Sequence, residues 1–137
     1  VPDALPRRSP EVRSMFRRLA LADMDAAAIV HRSALDHAVP WLAGLHTREE
    51  DRRFFRERVL QKCDVWGAVE NGRVVGIVAF RNEWIDQLCV LPHAQRRGVG
   101  TELLNIAKRS SARLHLWTFQ RNVHARLFYE ARQFVMV

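Results

Sequence analysis

Gln95-Arg96-Arg97-Gly98-Val99-Gly100 constrains the fold of this chain more than any other stretch. It follows a short apolar run ending at Pro92 and opens a helical pattern to about Ser110, so a strand has to pass into a helix through a glycine turn. The N–H groups at a helix N-terminus lack partners within the helix and carry the positive end of its dipole, so they can hold a phosphate. Glycine, with no Cβ, permits the tight turn and lets a ligand approach the main chain. No Gly-Lys-Ser/Thr follows Gly100, which excludes the nucleotide-kinase loop, and the third glycine and ribose acid of the dinucleotide fingerprint are absent. What remains is a pyrophosphate cradle, with a glycine turn that holds no ligand as the plainer alternative.

The rest of the chain supplies elements around that crossover. Residues 1–11 are proline-rich and read as a lead-in, and 12–137 as one domain. Met15 to Leu19 suits a first strand. Asp23 is placed to cap a helix to about His37, with Ala27, Val30, Ala34 and Leu35 on its apolar face. Thr47 and Glu50 have the spacing of a capping box for a second helix to about Gln61, with Phe54, Phe55, Val59 and Leu60 as core candidates. The period then changes: two apolar runs flank Asn71-Gly72, the pattern of a β-hairpin. Trp84–Leu91 and Leu114–Phe119 read as further strands, Asn122–Arg132 as a helix and Phe134–Val137 as a last strand. The sum is an α/β layer with a mixed sheet. The terminal strand predicts an open edge, completed either by a further hairpin or by a second copy of the chain in a homodimer.

A chain of 137 residues that is 48% apolar and 27% charged can bury one ordinary core. No run approaches a membrane span and the first residues lack a signal-peptide core, so no membrane partner and a cytoplasmic setting are expected. Cys63 and Cys89 have no metal-ligand spacing, which fits a reduced compartment and no metal. The 22 basic against 15 acidic side chains, net +7, draw anions of any kind. Nucleic acid is not an expected partner, because the strands lack paired aromatics for base stacking and no helix reads as a recognition helix.

Two ordered motifs resemble a known family. Leu88-Cys89-Val90-Leu91-Pro92 leading into Gln95–Gly100 is similar to the signature of the GCN5-related N-acetyltransferase (GNAT) superfamily. Leu116–Asn122, Ala125 and Phe128-Tyr129-Glu130 agree with its second half, so the resemblance covers roughly Val12–Val137. It implies a three-layer fold, acetyl-CoA as acyl donor and a small-molecule or protein amine as acceptor. It further implies that the main chain of Leu88, Cys89 and Val90 binds the pantetheine arm. Gln95, Arg96, Arg97, Gly98, Val99, Gly100 and Thr101 would form the pyrophosphate site. Asn122 would cap the last helix and reach toward the cofactor, and Tyr129 would sit near the acyl sulfur.

The chemistry fits those roles. The amine must shed a proton, an oxyanion must be stabilised by N–H groups, and the departing thiolate benefits from a nearby hydroxyl. Tyr129 is the only tyrosine, and its plain alternative is a packed helix residue. Glu83 and Asp86 are the carboxylates on or beside the central strand. Asp86 is preferred as base because the two-residue period puts it on the face of Leu88 and Val90, an arginine-paired carboxylate being the alternative. His93 and His124 read as solvent-facing. Two departures stand out: Gln133 occupies the place of a family glycine after the last helix, and the family's closing C-terminal hairpin is lacking. A non-catalytic CoA-binding domain of the same fold is the alternative function.

Overall fold

The computed structural model describes residues 14–137; the expected lead-in at 1–11 and the first two residues of the expected domain lie outside them. Five strands form one sheet in the order β1-β2-β3-β4-β5: β1 Met15–Arg18, β2 Asp64–Glu70, β3 Arg73–Arg81, β4 Trp84–Val90 and β5 His115–Leu116. All neighbours are antiparallel except β4 and β5, so the sheet is mixed. Asn71 (φ 51°) and Gly72 (φ 77°) form the hairpin turn, as their pairing predicts.

Helices cover both faces, which makes three layers. On one face α1 (Met24–Ala38) and a π-helical turn (Phe55–Val59) pack Met24, Ala27, Val30, Phe55 and Val59 against Val65, Ile77 and Ala79. On the other, α4 (Val99–Lys108) packs Val99, Leu103, Leu104 and Ala107 against Val78, Phe80 and Ile85. Between its terminal arginines β3 is apolar throughout, because it is buried on both sides. α2 (Arg48–Phe54) runs through the π turn into α3 (Leu60–Lys62), and its capping box is present: Glu50 N–H donates to Thr47 Oγ1 at 3.1 Å and Thr47 N–H to Glu50 Oε1 at 2.9 Å.

Four local expectations are corrected. Asp23 does not cap α1; its carboxylate accepts from Ala20 N–H at 2.8 Å and from Arg17, so it closes the short 3-10 turn Leu21–Asp23 instead. Phe54 is exposed while Phe55 fills the core, since adjacent helical residues face different ways. The strand expected over Leu114–Phe119 contracts to His115–Leu116, and Trp117 is 87% exposed beyond it. Residues 134–137 form no strand: Gln133 in the left-handed region turns the chain at the end of α5 (Val123–Glu130), and none of the four pairs with the sheet.

Candidate active site

The site begins where two parallel strands part. β4 and β5 are paired only at Trp84–His115 and Ile85–Leu116. From there β4 keeps β3 as its partner and leaves its other edge open. Main-chain groups alternate sides along a strand, and Leu91 N–H donates to Val75 C=O on β3 at 2.8 Å. The N–H and C=O groups of Leu88 and Val90 therefore point into the opening, while those of Cys89 point to β3. The Val90 carbonyl accepts from Gln95 Nε2 at 3.0 Å, so the Gln95 side chain folds back on the strand rather than reaching outward.

The cradle closes the wide end of this opening. Gly98, at φ 83°, is the N-cap of α4, and a Cβ added there would meet nothing within 4 Å. Arg96 also takes a positive φ of 64°. Between them the chain turns so that the N–H groups of Arg96, Arg97, Gly98, Val99, Gly100 and Thr101 have no acceptor among the described residues. The first helical donor is Glu102, to Gly98 C=O at 3.0 Å. Such a run of free donors at a helix N-terminus is an anion site. Gly100 serves packing: a Cβ there would lie 3.3 Å from the Phe128 ring.

The Arg97 side chain turns away from the cradle toward β2. Arg97 donates to Glu70 at 2.8 Å, so its guanidinium is taken and its main-chain N–H is what faces the cradle. Burial pushes the Glu70 carboxyl up, but hydrogen bonds from Ser14 and Arg97 outweigh it and hold the group below the usual carboxylate range. A cation absent from the sequence reading stands beside Thr101, the last residue of the motif. Arg132 donates to Thr101 Oγ1 at 2.7 and 3.1 Å and lies over the Phe128 ring at 3.7 Å.

α5 brings up the tyrosine. Asn122 caps it, its Oδ1 accepting from Ala125 N–H at 3.2 Å. The far end closes with Phe134 N–H on Tyr129 C=O at 3.0 Å and Gln133 N–H on Glu130 C=O at 3.1 Å, with the Phe134 ring edge-on to Tyr129. This is the paired-bond stop usually made by glycine, here with Gln133 at φ 72°. Tyr129 lines a cleft of about 690 Å³ together with Trp84, Leu116, Trp117 and Phe134. Burial first, and the nearby Cys89 second, push its hydroxyl above its ordinary range, so it holds its proton at neutral pH.

Asp86 is not on the face the strand period assigns it. Ala79 pairs with Gln87 and Phe80 with Ile85, so Asp86 is the extra residue of a β-bulge. It accepts from Arg81 Nε at 2.7 Å and from the Cys63 thiol at 3.4 Å, on the α1 side, whereas Leu88 and Val90 pack on the α4 side. Glu83 is exposed beside His115. His93 lies in the turn before the cradle and His124 in the first turn of α5, both exposed.

Sequence reasoning missed His31. From α1 its Nδ1 lies 3.8 Å from Cys89 Sγ and its ring packs on Phe55. Burial first, then Arg32, lowers its pKa, against smaller opposing effects of Asp51, Gln87 and Asp36. An apolar helix face with one histidine carried no signal, because its neighbours come from β4 and the π turn. Among the described residues no cluster of His, Cys, Asp and Glu could hold a metal, and no helix is long and apolar enough to cross a membrane.

Comparison with known proteins places this geometry. Residues 61–136 match the model of the acetyltransferase (GNAT) domain. A "Probable N-acetyltransferase" of Mycobacterium tuberculosis is 37% identical over 79 residues, 51% of this chain and 45% of the relative. The peptidyl-lysine N-acetyltransferase YiaC of Escherichia coli is 30% identical over 83 residues, 60% of this chain and 57% of the relative. The matched segments thus span about half the length of these relatives. The structure of PaiA N-acetyltransferase from Thermoplasma acidophilum, in complex with coenzyme A, superposes with a TM-score of 0.71 over 91% of both chains at 16% identity, a likeness of fold.

Proposed function

Since this chain belongs to the acetyltransferase (GNAT) family, we propose that it transfers an acetyl group from acetyl-CoA to a primary amine of a protein or small molecule. The observation that carries the reading is the row of N–H groups from Arg96 to Thr101, unpartnered among the described residues, following the open edge of β4, with Tyr129 near Cys89 of that strand. Those donors suit a pyrophosphate, and the open space at Gly98 lets it approach the main chain. The main-chain groups of Leu88 and Val90 would take an extended amide-bearing arm as an added strand. Bound acetyl-CoA supplies an acyl group already activated as a thioester.

The chain's own residues do the rest. The α4 dipole and the Arg132 guanidinium behind Thr101 keep the phosphate end fixed. Asn122, by capping α5, sets the height at which Tyr129 projects two turns later. The Tyr129 hydroxyl keeps its proton until a thiolate needs it. The name of the Escherichia coli relative recommends a lysine peptide as the first acceptor to try.

Calorimetry with CoA tests the cofactor half of the proposal. Binding in the micromolar range, with slowed amide exchange from Arg96 to Thr101, is expected. Folded protein that gives no heat at millimolar CoA would refute it. CoA binding without transfer to any amine would leave the non-catalytic alternative.

A further inference from the structure

We infer that His31 is the proton acceptor for the incoming amine, set by Cys89 and Gln87 of β4 opposite Tyr129 of α5. The inference rests on the acetyltransferase reading above and names a residue that the family motifs do not contain. Three elements meet here. His31 comes from α1, with Nδ1 at 3.8 Å from Cys89 Sγ. Cys89 and Gln87 lie on the α1 face of β4, flanking Leu88 in the open stretch of that strand. Tyr129 comes from α5, close enough to Cys89 for that thiol to affect its ionisation. A base on one side of the open strand and a hydroxyl on the other are the two proton positions that an acyl transfer between amine and thiol requires.

The competing base is engaged elsewhere. The Asp86 carboxylate is bound by Arg81 and Cys63. Cys89 is no rival, because burial pushes its thiol up to about 12 and it stays protonated. The ring of His31 is fixed by Phe55 on one side and the sulfur on the other. In the tautomer with Nδ1–H toward the sulfur, the lone pair that takes the proton is on Nε2. The groups that face the imidazole are Cys89 and Gln87 of β4, Arg32 and Asp36 of α1, Asp51 of α2, and Tyr129 beyond Cys89. Burial and Arg32 together outweigh the two carboxylates, so the ring is neutral, and able to accept, at pH 7.

The amine nitrogen forms a bond to the acyl carbon, becomes positive and gives one proton to His31. The carbon–sulfur bond breaks, its electron pair stays on sulfur, and Tyr129 gives the sulfur a proton. His31 returns its proton to solvent and Tyr129 regains one from it. An amine that arrives as ammonium releases one further proton before it attacks.

The test uses the chain as it stands, with acetyl-CoA and a lysine peptide or a panel of simple primary amines. His31→Gln should leave CoA affinity within about threefold and lower kcat/KM roughly a hundredfold, within the range for a general base. In the parent, kcat/KM should rise with pH through a group below 6.5, the ordinary histidine value. That limb should vanish in His31→Gln. NMR titration of the imidazole should find the same depressed pKa and show it shift when acetyl-CoA binds. A His31→Gln variant within twofold of the parent, with the same pH profile, would overturn the role of His31 alone. So would an imidazole that titrates normally and ignores acetyl-CoA. A parent that binds acetyl-CoA but turns over no amine would overturn the transferase reading and this role together.

Discussion

Replacing Gln133 with glycine should make the protein more stable, an unusual outcome for a substitution that removes a side chain. Gln133 sits at φ 72°, and the two hydrogen bonds that end α5 require that conformation. For a residue with a Cβ the left-handed region costs about 1–2 kcal/mol. Glycine removes that cost but loses more freedom on folding, about 0.4–1 kcal/mol. The Gln133 side chain is exposed and makes no hydrogen bond among the described residues, so little else is lost. The net gain is therefore about 0.5–1 kcal/mol. With a melting entropy of about 2.1 cal/mol/K per residue, this raises Tm by about 2–4 °C. Urea unfolding should show a higher midpoint at unchanged slope. Gln133→Ala is the control: it keeps the Cβ, so it should show no gain. A Tm for Gln133→Gly at or below that of the parent, or an equal rise with alanine, would refute the account of the turn.

Other consequences are more direct. Gly98→Ala forces a Cβ into a φ of 83° and into the cradle opening; it should cost about 1 kcal/mol of stability but lower CoA affinity tenfold or more by calorimetry. Tyr129→Phe should keep the fold and CoA affinity and reduce turnover about a hundredfold, since the ring contacts with Phe128 and Phe134 remain and the proton donor is gone. Asp51 is buried and takes both Arg32 Nη2 and Nε at 2.8 Å, and that hydrogen bonding holds its carboxyl below the usual range. Its stabilisation is present above the unfolded pKa and lost as pH falls through the lower folded value. Asp51→Asn should therefore cost about 2 kcal/mol at pH 7, and the gap to the parent should close in acid unfolding below about pH 4.

What the sequence determined by itself was everything governed by residues a few positions apart. The Asn71-Gly72 hairpin, the Thr47–Glu50 box, the Asn122 cap and the glycine turn into α4 are local hydrogen-bonding and φ/ψ preferences, and each was legible where it stands. The family signature covers the same local features. Only the tertiary structure decided the rest, because the deciding partners are distant in sequence. Asp86 was assigned a face by a regular period, but the bulge opposite Ala79 and Phe80 broke that period. The Arg97 side chain finds its partner in Glu70, from the far end of β2, which no local pattern announces. The last strands shortened or failed for want of neighbours, and strand pairing is a non-local property. His31 is the sharpest case. On its own helix, which also carries Arg32, Ser33, Asp36 and His37, nothing singles it out, and its meaning comes from Cys89, 58 residues away, which folding brings to its side.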